Sequence, residues 1–113
     1  MYITVKKVRN TIIMEHIISF LIPDDTVNTP FYVQLTGISY PDPNYVISRE
    51  QSEIYCLEYI IDGEGTIQVD NKIYHPSKGD VYILPKGRKH HYYSSQHNPW
   101  TKIWINVNGS LCD

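Results

Sequence analysis

The chain has 113 residues, a formal net charge of −2 at neutral pH, and 42% apolar against 19% charged residues. That length leaves room for one domain around one core, and the apolar fraction excludes a disordered chain. Ten Lys and Arg face twelve Asp and Glu. Only small basic clusters stand at Lys6-Lys7-Arg9 and Lys86–Lys89, so these residues carry no electrostatic footprint for nucleic acid.

The N-terminal stretch Val5–Leu21 satisfies either a helical or an extended pattern. An arm leading into a strand is the favoured reading, so residues 1–30 read as arm and lead-in segment. Basic residues before Ile12–Ile22 imitate a signal peptide. Glu15 and His16 break that run, no small-residue cleavage site follows, and it is too short for a bilayer span. No membrane partner is expected. Met14 is an alternative start to Met1. Asp24–Pro30 is a polar turn segment, and Phe31–Ser39 is a strand rich in β-branched and aromatic residues. Pro41–Asn44 turns, and Tyr45–Ser48 is short and extended.

Ile54–Ile61 is a strong strand that stops at Asp62–Gly65, where glycines permit positive φ. Thr66–Val69 and Ile73–His75 flank a hairpin turn at Asp70-Asn71. Val81–Leu84, His90–Ser94 and Lys102–Val107 follow, with turns at Pro76–Gly79 and Pro85–Gly87. Strands at roughly eight- to twelve-residue spacing with a turn between each are the pattern of an all-β sandwich or barrel. Ten tyrosines suit strand surfaces and wet pockets alike, having an apolar ring and a polar tip. Cys56 and Cys112 lack metal or redox spacing and fit a reduced, cytoplasmic setting. Cys56, inside an apolar strand, reads as a small core or pocket residue.

One spacing is informative. Gly79, Pro85, Gly87 and His90 resemble the second motif of the cupin superfamily: a tight turn, a crossing strand, a second tight turn, and a histidine aimed into a barrel. The resemblance implies a cupin-like double-stranded β-helix, a jelly-roll barrel, over residues 31–113. The first cupin motif asks for two histidines and a glutamate. Aligned on Gly63, those positions hold Glu50, Ser52 and Cys56. A cupin metal needs three or four convergent N or O donors, and only Glu50, Cys56 and His90 could be gathered here. The asparagine that normally ends the second motif is Ser94. No metal, cofactor or catalytic residue is therefore expected.

Longer runs resemble the sensor barrel of AraC-type (AraC/XylS) transcription regulators. They are Tyr55–Gly65 (YCLEYIIDGEG), Gly79–Pro85 (GDVYILP), His90–Ser94 (HHYYS) and Asn98–Gly109 (NPWTKIWINVNG), with Gly37–Ser39 and Tyr45–Arg49 earlier. The resemblance implies a two-domain protein. A barrel binds a small effector, often a sugar, and dimerises; helices and two helix-turn-helix units then read DNA. That C-terminal DNA-binding domain is absent from these residues, and Asp113 falls where connecting helices would begin. By resemblance, Arg49, Tyr92 and Trp104 meet the effector, and Lys102 holds a late-strand polar position.

Strand parity adds to this, because side chains at i and i+2 share a face. With His90 inward, Tyr92 is inward and His91 and Tyr93 are outward. Cys56 brings Glu58 inward. Trp100, Lys102, Trp104 and Asn106 share one face, and Ile103, Ile105 and Val107 the other. Such an interior is a poor dry core and a fitting polyol pocket, since indoles stack on sugar C–H faces while Lys, Glu and His bond hydroxyls. The expected effector-binding residues are Arg49, Glu58, His90, Tyr92, Lys102 and Trp104. Each has a structural alternative: a surface ion pair for Arg49, a pairing of Glu58 with Lys102 or Arg49, a structural hydrogen bond for His90, and core packing for Trp104. The outward apolar stripe on the last strand predicts a homodimer or a helical cover. Competing functions are a small cupin enzyme of the isomerase or oxygenase class and a free-standing carbohydrate-binding module.

Overall fold

The computed structural model describes residues 2–8, 11–20, 22, 24, 25 and 28–113, with backbone alone over 2–8 and 11–14. The reading of Met1 as a start, Arg9 of the first basic cluster and the end of the lead-in strand at Leu21 lie outside the described residues. Among the described residues ten strands run β1 (Tyr2–Val8), β2 (Thr11–Ser19), β3 (Tyr32–Ser39), β4 (Val46–Arg49), β5 (Tyr55–Asp62), β6 (Gly65–Val69), β7 (Lys72–Tyr74), β8 (Val81–Leu84), β9 (His90–Ser94) and β10 (Thr101–Asn108). They form two antiparallel sheets. One has the order β1-β2-β3-β10-β5-β8, the other β4-β9-β6-β7. A short 3-10 turn, Ser110–Cys112, follows. Among the described residues no helix is long and apolar enough to cross a membrane.

The lead-in segment is structured where it is described. β1 and β2 form a hairpin, and β2 continues the larger sheet by pairing with β3, Glu15 opposite Ser39 and Ser19 opposite Leu35. Isoleucines and threonine at 11–18 favour this extended state, and β3 offers an edge to complete.

The two sheets face each other across a core of Tyr45, Ile47, Cys56, Ile60, Ile67, Leu84, Tyr92, Trp100 and Trp104. Period-two alternation is visible in the burial of β5, where Cys56, Glu58 and Ile60 are inside and Leu57 and Tyr59 outside. In β9 His90, Tyr92 and Ser94 are buried; His91 is half-buried and Tyr93 exposed. β10 buries Lys102, Trp104 and Asn106.

Two tryptophans dictate where side chains must be absent. The Trp100 indole lies on Gly65, where an added Cβ would sit 2.2 Å from the ring, and Trp104 lies on Gly37, at 2.7 Å. Gly63 has φ of +81° and is pressed by Pro99, whose carbonyl oxygen would be 2.3 Å from a Cβ. Gly87 has φ of +80° but faces open space. Gly87→Ala should therefore cost only the left-handed backbone penalty, about 1–2 kcal/mol. Gly63→Ala should add an overpacking penalty of about 1–3 kcal/mol. Urea unfolding of both variants measures the difference, and equal losses would contradict this packing.

Candidate functional site

The centre of the barrel holds an ion pair. Lys102 Nζ donates to Glu58 Oε1 at 2.6 Å, and both side chains are sealed from solvent, 0% and 2% exposed. Lys102 comes from β10 and Glu58 from neighbouring β5, each at an inward position. Two further donors converge on the carboxylate: the Tyr82 hydroxyl from β8 on Oε1, and the Cys56 thiol on Oε2 at 3.0 Å. Tyr82 is opposite Glu58 in the β5–β8 ladder.

The ammonium is boxed by aromatic faces, with Nζ 4.2 Å from the Trp100 ring centroid and 4.6 Å from those of Tyr45 and Tyr92. A cation over ring faces is attracted by their quadrupoles, more strongly when dry. The rings also contact one another, Tyr45 edge-on to Trp100 with centroids 5.5 Å apart.

Burial alone pushes the Glu58 carboxyl up. The Lys102 charge and the hydrogen bonds from Cys56, Lys102 and Tyr82 outweigh it and hold the group below the usual carboxylate range. Glu58 is thus ionised at neutral pH. Burial raises the Cys56 thiol far above its ordinary value, reinforced by the Glu58 charge and its hydrogen bond. The thiol is a hydrogen-bond donor to the carboxylate, not a nucleophile.

The structure brings Arg49 into the same network. Its Nη1 donates to the Tyr92 hydroxyl at 2.5 Å, and the guanidinium lies 5.7 Å from that ring's centroid. Arg49, Tyr92, Lys102 and Glu58 are therefore contiguous, with Arg49 at the rim. Trp104 is attached elsewhere. Its Nε1 donates to Ser39 Oγ at 3.0 Å, and Ser39 donates to Glu15 Oε2 at 2.7 Å. This chain ties the interior to β2. His90 donates from Nε2 to the Pro85 carbonyl at 2.7 Å, so it fastens the turn that precedes its own strand.

Sequence reasoning left out of the site Tyr45, Trp100, Tyr82, Ser39 and Glu15. Trp100 was accessible by parity, two residues before Lys102. Tyr82 becomes visible only when β8 is paired with β5, and Glu15 only when β2 is placed beside β3. Two clefts border this interior. One of about 500 Å³ opens between the β7 and β8 edges, lined by Ile67, Val69, Tyr74, Tyr82 and Leu84 among others. Tyr82 links it to Glu58. The other, about 550 Å³, is formed by Arg49–Ile54.

The positions aligned with a cupin metal set are differently employed. Glu50 is exposed and lies 3.7 Å from Lys89. Ser52 donates to the Ile54 carbonyl at 2.8 Å, and Cys56 serves Glu58. Among the described residues no three His, Cys, Asp or Glu side chains are grouped to hold a metal ion.

This two-sheet architecture is that of a cupin barrel. A Cupin 2 conserved barrel domain protein from Salinispora arenicola superposes with a TM-score of 0.62 at 18% identity, covering 97% of this chain and 86% of the other. Residues 32–113 match the AraC-like ligand binding domain, and the chain belongs to that family. It is 33% identical over 73 residues, 65% of its length, to the lactose operon transcription activator of Staphylococcus xylosus. It is 27% identical over 89 residues, 79% of its length, to the Msm operon regulatory protein of Streptococcus mutans. It is 32% identical over 74 residues, 61% of its length, to the raffinose operon transcriptional regulatory protein of Pediococcus pentosaceus. These matches span 26%, 32% and 26% of the relatives' own lengths.

Removing one member of the ion pair should cost far more than exchanging both. Lys102→Met leaves a lone buried carboxylate and should destabilise by about 3–5 kcal/mol, whereas Glu58→Gln with Lys102→Met should lose less than the single change. A double-mutant cycle by urea unfolding checks this; additive losses would exclude the coupling. The pH dependence has a definite sign. Glu58 titrates lower folded than unfolded, where a glutamate sits at about 4.3. Its contribution is complete above that value and is lost as pH falls through the folded one. Unfolding midpoints of the native chain should fall in that acid window more steeply than those of Glu58→Gln.

Proposed function

We propose that this barrel is the effector-sensing domain of an AraC-type transcription regulator. In this reading it takes up a sugar or related small polar molecule and dimerises. DNA is contacted by a C-terminal helix-turn-helix domain outside these residues. The observation that carries the reading is the buried Glu58–Lys102 pair inside an aromatic box, within a chain of this family. Desolvating two charges costs several kcal/mol per ion, and an apolar core of the same volume is commonly at least as stable. A barrel evolved only to be stable has no need of this arrangement. One that must exchange hydrogen bonds with a polyol does, because indole and phenol faces cover sugar C–H surfaces while charged groups order hydroxyls.

The residues assigned to the effector are Arg49, Glu58, His90, Tyr92, Lys102 and Trp104. Arg49 stands at the rim, and the other five are buried. Uptake therefore moves an internal wall, and Tyr82, between the β7–β8 cleft and Glu58, is the candidate. The names of the lactose and raffinose operon regulators support a sugar as effector. Signalling follows by linkage: a ligand that favours one arrangement of the barrel biases whatever dimer or N-terminal contact distinguishes the arrangements. No enzymatic step is assigned, in line with relatives that are operon regulators.

A sugar that binds only the native state must raise the unfolding temperature. A thermal-shift panel of mono- and disaccharides should give at least one dose-dependent rise, abolished in Glu58→Ala and Trp104→Ala. An undiminished shift in both variants would remove the pocket assignment.

Dimerisation has its own test. The outer face of β5, β8 and β10 exposes Leu57, Tyr59, Val81, Ile83 and Ile103, with Val81 and Ile83 at 60% and 62%. Sedimentation should show a concentration-dependent dimer that Leu57→Lys with Ile83→Lys shifts towards monomer. A native chain that stays monomeric at high concentration would refute self-association through this face.

A further inference from the structure

Two buried acceptors at one end of the barrel have no partner among the described residues: His90 Nδ1 and Asn106 Oδ1. His90 is 1% exposed and Asn106 8%. The tautomer of His90 follows from its other nitrogen. Nε2 faces the Pro85 carbonyl, which can only accept, so Nε2 carries the proton. Burial lowers the imidazolium's pKa, opposed by that same hydrogen bond, and the ring is neutral at neutral pH. Nδ1 is then a bare lone pair. A buried acceptor left unmatched costs about 1–3 kcal/mol, so a pair of them in one place favours a molecule that brings hydrogen-bond donors.

The strand registers show that they share one place. Asn106 on β10 is opposite Cys56 on β5, and Cys56 is opposite Leu84 on β8. The next residue, Pro85, holds His90, which is opposite Arg49 on β4. Arg49, Cys56, His90 and Asn106 thus ring the same end of the barrel, and Arg49 also lines the cleft formed by residues 49–54. Arg49 is close enough to both Cys56 and His90 for its charge to act on them.

The donor and acceptor balance selects a chemistry. Two bare acceptors need donors. Arg49, with five N–H groups and one given to Tyr92, needs acceptors. A hydroxyl is both at once. A carboxylate or phosphate supplies acceptors only. It would face His90 Nδ1 and Asn106 Oδ1 with like partial charge, and Lys102 is already neutralised by Glu58. Glu53 also lines the cleft beside Arg49, which disfavours an anion there.

We propose that the Arg49 end of the barrel is a specificity site for uncharged polyhydroxylated molecules over sugar acids and sugar phosphates, with His90 Nδ1 and Asn106 Oδ1 accepting hydrogen bonds from ligand hydroxyls. This rests on the reading of the barrel as an effector-binding domain. It adds Asn106 to the binding residues and a charge class to the ligand.

The test titrates the full chain, by thermal shift and calorimetry, with glucose, galactose and lactose. Glucose 6-phosphate, galactose 6-phosphate, gluconate and the monodeoxy analogues of whichever neutral sugar binds are titrated in parallel. The expected result is binding of a neutral sugar and at least tenfold weaker binding of its phosphate or acid. Asn106→Leu should weaken the neutral sugar about 5–10-fold, the worth of one such hydrogen bond. One deoxy analogue should lose affinity in the native chain and lose nothing further in Asn106→Leu. That non-additivity separates a direct contact from a structural role, and the charge comparison needs no variant. A phosphate or acid that binds as well as the neutral sugar overturns the inference and leaves the sensor reading standing. So does an Asn106→Leu variant with unchanged affinity. Silence from all the probes, charged and uncharged, overturns the sensor reading for sugars and this inference with it.

Discussion

Everything inside this barrel is arranged around the cost of keeping one ammonium and one carboxylate dry. Lys102 and Glu58 are 2.6 Å apart with essentially no exposure, and at such burial neither charge is tolerable without the other. The pair needs β5 and β10 to be neighbours in register. It needs β8 alongside to deliver Tyr82, and it needs Tyr45, Tyr92 and Trp100 to wall off water. Those rings in turn demand glycine at Gly65 beneath the Trp100 indole. The barrel is thus over-determined at its centre, and a change at one wall is felt by the charges.

The polar groups of the interior are satisfied in two ways. Around Trp104, the indole N–H, Ser39 and Glu15 form a closed relay from β10 through β3 to β2. At the Arg49 end, His90 and Asn106 keep acceptors with no protein partner among the described residues. A closed relay holds an element in place; an open set of acceptors invites a molecule. The same fold therefore supports a rigid side facing the N-terminal hairpin and a receptive side facing the Arg49–Ile54 loop.

Much of the strand plan was legible because turn chemistry and alternation are local. Prolines and glycines punctuate the chain where the strands end, and β8 and β9 span the predicted residues. Parity placed Glu58, His90, Tyr92, Lys102 and Trp104 inside, as the burial of each records. It could not say which inward group meets which. Glu58 had Lys102 and Arg49 as alternatives. The structure gives it Lys102, because β5 and β10 are neighbours in one sheet while Arg49 comes from the opposite sheet and is engaged by Tyr92. The lead-in segment illustrates the same limit. Its pattern admitted helix or strand, and the choice was made by the free edge of β3, a partner lying outside the segment.

By itself, then, the sequence determined the strand rhythm, the turns that punctuate it and the face to which each side chain points, since these depend on neighbours one to four residues away. Only the tertiary structure decided the ion pair, the aromatic box, the Trp104–Ser39–Glu15 relay and the two unmatched acceptors. These groups are far apart along the chain, 44 residues for Lys102 and Glu58 and 65 for Trp104 and Ser39. What joins them is sheet order and register, and those are fixed by the collective burial of both inner faces rather than by any local pattern.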